Sequence, residues 1–258
     1  MKRVLTALLL IPLVVVLIFW APPLAVRLAL AAVALLCLHE CYAIIRAGGV
    51  RPFQPLGYAL GAVLIVTSQP VDALLIVAVV AMLLLTLQSE RHEAALAVAS
   101  STLFAVAYTC GPFALARWAH EVNPHWMFVV LLINWAGDSA ALYVGQALGR
   151  RKLAPTISPN KTWEGSIASA LLGGGVGVAY LHSFVPALHP LVAVAAALWI
   201  NVAGQAGDLA ESVLKRGAHV KDSGSLLPGH GGMLDRMDGA LFGYPALYVF
   251  LEVLRRLA

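Results

Sequence analysis

Asp208, Glu211, Ser212 and Lys215 recur at i, i+3, i+4 and i+7 within NVAGQAGDLAESVLKR, residues 201–216, a spacing that puts them on one face of a helix. Two carboxylates and a lysine on one stripe form either a buried salt-bridge network or a reactive surface. Gly204 and Gly207 beside the stripe allow another helix or a ligand to approach closely. In KDSGSLLPGHGGMLDRMDG, residues 221–239, Pro228, Gly229, Gly231 and Gly232 prescribe a turn around His230. Asp235 and Asp238 follow at i and i+3 on the first turn of a helix. Hard divalent cations such as Mg²⁺ take carboxylate, water and phosphate oxygens, and Asp208, Asp235 and Asp238 offer such a set without the cysteines or paired histidines typical of zinc.

A third polar cluster lies upstream, in NWAGDSAALYVGQALGRRKLAPTISPNKTWEGS, residues 134–166. Asp138 and Ser139 interrupt an apolar helix, and Arg150, Arg151, Lys152 and Lys161 crowd the loop after it. Basic loops of this kind set membrane topology and attract anionic headgroups. The stretch from Ser158 to Gly165 carries more information, because Pro159, Asn160 and Thr162 shape a turn and a helix start whose free amides, beside Lys161, suit a phosphate. Carboxylates for a metal together with basic groups for phosphate point to nucleotide or phosphoryl chemistry.

The elements that position these residues are membrane helices. The chain is 60% hydrophobic and only 12% charged, with mean hydropathy +0.85, which excludes a water-soluble fold. Nine apolar runs, at residues 4–20, 24–45, 54–69, 71–88, 94–118, 125–148, 165–185, 188–212 and 238–256, are too long and continuous for barrel strands, so the expected fold is an all-α polytopic bundle of about nine spans. The first run, Val4 to Trp20, exceeds a usual signal-peptide core and no small-x-small cleavage site follows, so it reads as an uncleaved helix. With the N-terminus inside, all seventeen lysines and arginines except Arg27, Arg117, Arg255 and Arg256 fall on the cytoplasmic side.

No internal repeat or linker divides the chain, which reads as one domain over residues 1–258. Residues 1–120 are mainly apolar, and the patterned polar positions lie in 121–258. Cys37, Cys41 and Cys110 sit in apolar segments without metal-ligand spacing and read as packing residues. Cys37, His39, Glu40 and Cys41 share a turn near the end of the second run, and Glu40 is notable because an ionisable group in a membrane needs a partner.

The run Ser212-x-x-Lys215-Arg216, Lys221-Asp222-x-Gly224, Leu227-Pro228-Gly229-His230-Gly231-Gly232 and Leu234-Asp235-Arg236-Met237-Asp238 closely resembles the signature of the phosphatidate cytidylyltransferases, or CDP-diacylglycerol synthases. Gly137-Asp138-Ser139 and the stretch from Ser158 to Gly165 also resemble segments of that family; Asn160 departs from it, standing where a second basic residue is expected. The resemblance implies an attack by phosphatidate on the α-phosphorus of CTP, giving CDP-diacylglycerol and pyrophosphate. The attacking phosphate monoester is already largely ionised at neutral pH, so the demand is for suppression of charge repulsion between two polyanions rather than for a strong base.

On this reading Asp208, Asp235 and Asp238 are metal ligands, with Lys215 completing the catalytic set. Lys161, Arg216, Lys221, Arg236 and His230 are phosphate contacts, Asp138 faces the same space, and His230 has a structural role in the glycine turn as its rival part. The expected cofactor is Mg²⁺, with room for a second ion. Substrates are CTP from water and phosphatidate from the leaflet, so the site is expected to be a polar hollow at the cytoplasmic interface of a bacterial inner membrane. A homodimer is implied by the resemblance, and no nucleic-acid partner is expected. Two rival classes remain: composition alone favours a transporter, against which the acids cluster at one interface, and a CTP-dependent polyprenol kinase or archaeal-type lipid cytidylyltransferase would need similar groups.

Overall fold

The computed structural model describes residues 2–67, 71–87, 94–226 and 231–257. A helix stands at each of the nine apolar runs: α1 (Lys2–Trp20), α2 (Pro23–Ala47), α3 (Gln54–Val66), α4 (Val71–Thr86), α5 (Ala95–Val122), α6 (Pro124–Leu148), α7 (Trp163–Phe184), α8 (Pro190–Gly217) and α9 (Leu234–Leu257). Among the described residues six, namely α2 and α5 to α9, are long and apolar enough to cross a membrane. They mark the chain as an integral membrane protein. The remaining apolar helical stretches among the described residues are Ile11–Trp20, Gln54–Val66 and Ile76–Leu85.

Helix boundaries follow local chemistry. Pro23 and Pro124 occupy first-turn positions where a missing N–H costs nothing, and Asn123 caps α6 by accepting from His125 N. α8 and α9 outrun the apolar stretches that foretell them, because a charged stripe interrupts hydropathy without interrupting the backbone hydrogen bonds. The stripe from Asp208 to Lys215 therefore lies on one continuous helix.

The chain divides into two compact units. The first comprises residues 1–117 and 214–237, the second residues 118–213 and 238–258. In the first, α2 packs on α3, and Cys37, Cys41 and Cys110 are buried free thiols. Arg27 Nη1 donates to Val66 O at 3.4 Å, and Arg117 Nη1 donates to Thr67 O. These are two of the four basic residues that the topology expected from the sequence leaves outside. Both serve carbonyls at the end of α3, where the helix dipole favours a cation.

In the second unit α6 runs along α7, and polar side chains join α7 to α8. Asn201 Nδ2 donates to Ser169 O and Oγ, both at 3.2 Å, Gln205 Nε2 donates to Asn201 Oδ1 at 2.7 Å, and Ser166 Oγ donates to Gln205 Oε1. In lipid such bonds satisfy groups that have no water to turn to. Trp199 Nε1 donates to Ala246 O at 3.0 Å, tying α8 to α9.

Glycine makes the closest of these approaches possible. A Cβ on Gly207 would stand 2.5 Å from the Asp238 carbonyl oxygen and 3.0 Å from Phe242. Gly207→Ala is therefore expected to push α8 and α9 apart, costing about 1–3 kcal/mol. The measurement is thermal unfolding in detergent, where an unchanged midpoint would refute this close packing.

Candidate active site

The hairpin before α7 starts the site. β1 (Lys152–Ala154) and β2 (Ser158–Thr162) pair antiparallel, Lys152 opposite Thr162 and Ala154 opposite Ser158, with an irregularity between the two pairs. Thr162 ends β2 and caps α7, its hydroxyl accepting from Gly165 N at 3.2 Å. Glu164, in the first turn, accepts from Arg150 N at 3.1 Å and from Arg151 N at 3.3 Å. The stretch expected to be a turn with free amides is thus a strand running into a capped helix. Its effect is to hold Lys161 against α8, where Nζ lies 2.6 Å from Asp208 Oδ2.

Asp238 lies on α9, within electrostatic reach of acids on two other helices. Its charge is influenced by those of Asp208 and Glu211 on α8 and Asp138 on α6, while its own Oδ1 accepts from Gly239 N at 2.7 Å. The group is graded in exposure: Asp138 is exposed, Asp208 and Asp238 are half-buried, and Glu211 is fully buried. Like charges so placed repel, and Lys161 supplies one compensating charge. Among the described residues no three or more His, Cys, Asp or Glu stand close enough together to enclose a metal ion. The donor chemistry is nevertheless all hard oxygen, which suits Mg²⁺ held partly by water or by phosphate.

A second polar centre lies in the first unit. Lys215 Nζ meets Asp235 Oδ1 at 2.6 Å, the two side chains only 12% and 11% exposed. Asp235 Oδ2 also accepts from Gly232 N at 2.9 Å and from Ser223 N at 3.1 Å. Gly231, at φ 80°, adopts the left-handed turn that glycine makes readily and that the sequence foretells here. Glu40, buried at 5% exposure, accepts from Ser223 Oγ at 2.9 Å, Met233 N at 3.0 Å and Leu234 N at 2.8 Å.

The predicted site residues divide accordingly. Asp138, Lys161, Asp208 and Asp238 belong to the second unit, and Lys215, Arg216, Lys221, Asp235 and Arg236 to the first. Arg216, Lys221 and Arg236 are exposed, with Arg216 Nη1 donating to Val220 O at 3.3 Å. His230, with Pro228 and Gly229, lies outside the described residues. Two acids come forward that the sequence did not place in the site. Glu211 was signalled by its helical spacing from Asp208. Glu40 was signalled by the rarity of a lone acid in an apolar run, but nothing local names its partners.

A family model described as the cytidylyltransferase family matches residues 1–254. The phosphatidate cytidylyltransferase of Bacillus subtilis (strain 168) is 46% identical over 131 residues, covering 50% of this chain and 48% of that protein. The phosphatidate cytidylyltransferase of Brucella suis biovar 1 is 49% identical over 120 residues, covering 46% and 43%. That of Staphylococcus aureus (strain COL) is 38% identical over 153 residues, covering 59% of each chain. The chain thus spans about half the length of the curated relatives it matches. With the family model matching nearly end to end, this chain belongs to the cytidylyltransferase family.

Proposed function

We propose that the protein is a phosphatidate cytidylyltransferase: a phosphate oxygen of phosphatidate attacks the α-phosphorus of CTP, the α–β phosphoanhydride bond breaks, and CDP-diacylglycerol and pyrophosphate leave. The observation that carries this reading is the Lys161–Asp208 ion pair, beside which Asp208, Glu211 and Asp138 all act on the charge of Asp238, in a membrane protein of this family. The names of the relatives supply the lipid.

The residues suit a reaction whose barrier is electrostatic. Asp208 and Asp238 in the second unit are proposed ligands of Mg²⁺, and Asp235 in the first is proposed as a ligand on its place in the motif alone. A bound divalent cation supplies screening of the α-phosphate and of the departing pyrophosphate. Asp235 already accepts from Lys215 and two amides, so it ligates only by exchanging one of them. Lys161 is proposed to exchange Asp208 for a nucleotide phosphate, and the exposed Arg216, Lys221 and Arg236 of the first unit are proposed phosphate contacts. The concentration of lysine and arginine in the loops that carry these residues supports a cytoplasmic site in a bacterial inner membrane.

The test is purified protein in mixed micelles with CTP, Mg²⁺ and phosphatidate. A cytidine-bearing lipid should form, disappear when the metal is chelated, and fail to form when a polyprenol replaces phosphatidate. Phosphorylation of the polyprenol with release of CDP, or no lipid product from folded protein, would overturn the assignment.

A further inference from the structure

Glu40 lies far in sequence from every catalytic motif, yet its carboxylate is built into the start of α9. Oε1 accepts from Met233 N, and Oε2 accepts from Leu234 N and from Ser223 Oγ. These partners stand 183 to 194 residues away along the chain. The two amides belong to the helix start, where N–H groups have no intrahelical acceptor and a negative charge is favoured. A carboxylate from α2 does the work that a local capping side chain does elsewhere.

The surrounding loop is shaped to admit it. A Cβ on Gly224 would lie 2.6 Å from Glu40 Oε1, and one on Gly232 would overlap both Glu40 Oε2 and Ser223 Oγ. Ser223 passes the contact on: its hydroxyl donates to Glu40 and accepts from Asp235 N at 3.4 Å, while its own N–H donates to the Asp235 carboxylate. Asp235 in turn holds Lys215. The chain of bonds runs Glu40, Ser223, Asp235, Lys215.

From this we infer that Glu40 is a positioning residue for the reaction, fixing Ser223 and the first turn of α9 so that Asp235 and Lys215 keep their orientation. The inference rests on the cytidylyltransferase reading for its consequence, although the contact itself does not depend on that reading. Glu40 touches no reacting atom, and it acts through Ser223 and the helix start.

Two readouts test it on the full chain in detergent. Hydrogen exchange across residues 223–236 should quicken at least tenfold in Glu40→Gln, with α6 and α7 unchanged. Unchanged exchange there overturns the contact whatever the enzyme does. In the CTP and phosphatidate assay Glu40→Gln should lower kcat at least tenfold at unaltered monodispersity, and Glu40→Gln with Ser223→Ala should lose scarcely more than either alone. Wild-type kinetics in Glu40→Gln, or a loss that merely tracks the unfolded fraction, would overturn positioning. An inactive wild type would sink the assigned reaction instead, and exchange would then decide the Glu40 contact alone.

Discussion

Replacing Lys215 with methionine is expected to destabilise the protein by about 3 kcal/mol, the lower end of the range for breaking a buried ion pair. Lys215 Nζ and Asp235 Oδ1 lie 2.6 Å apart with both side chains nearly covered, so the substitution leaves a carboxylate that water reaches poorly. The low end applies because Gly232 N and Ser223 N still donate to it. The double change Lys215→Met with Asp235→Asn should recover much of the loss, since no charge is then stranded. Both variants should nonetheless be poor enzymes. Equal midpoints for wild type and Lys215→Met in detergent unfolding would contradict the pairing.

Asp238→Asn is expected to separate stability from activity. Turnover should fall about 10²- to 10³-fold, the scale seen when one electrostatic contributor is removed from a preorganised site. Stability in the absence of metal should hold or rise, because the substitution removes one of the carboxylates clustered on α6, α8 and α9. Added Mg²⁺ should raise the melting temperature of the wild type and do much less for the variant. A variant that loses activity only because it fails to fold would place Asp238 among the structural residues.

The two effects trace back to what sequence patterns can and cannot carry. Helical spacing alone puts Asp208, Glu211 and Lys215 on one stripe, and hydropathy locates the nine helices found among the described residues. Hydropathy also ends α8 and begins α9 too near the membrane, at residues 212 and 238, where the helices run to Gly217 and from Leu234. Polarity marks where a helix leaves the bilayer, whereas hydrogen bonding decides where it stops. The β1–β2 hairpin escapes detection because Lys152–Ala154 is only three residues long and Ser158–Thr162 is polar and carries Pro159, so neither shows an alternating apolar face. Glu40 shows the other limit: an isolated acid in an apolar run announces that it has a partner, but its partners lie some 190 residues onward, as the 193-residue separation to Met233 shows.

Nucleotidyl transfer and phosphoryl transfer send the individual phosphates of CTP to different products, so their fate separates the two reactions. Purified protein would be given phosphatidate, Mg²⁺ and CTP labelled at either the α- or the γ-phosphate. The α-label should enter the lipid and the γ-label should leave in pyrophosphate. A γ-label found in the lipid, with CDP released, would contradict the account and identify a CTP-dependent lipid kinase instead.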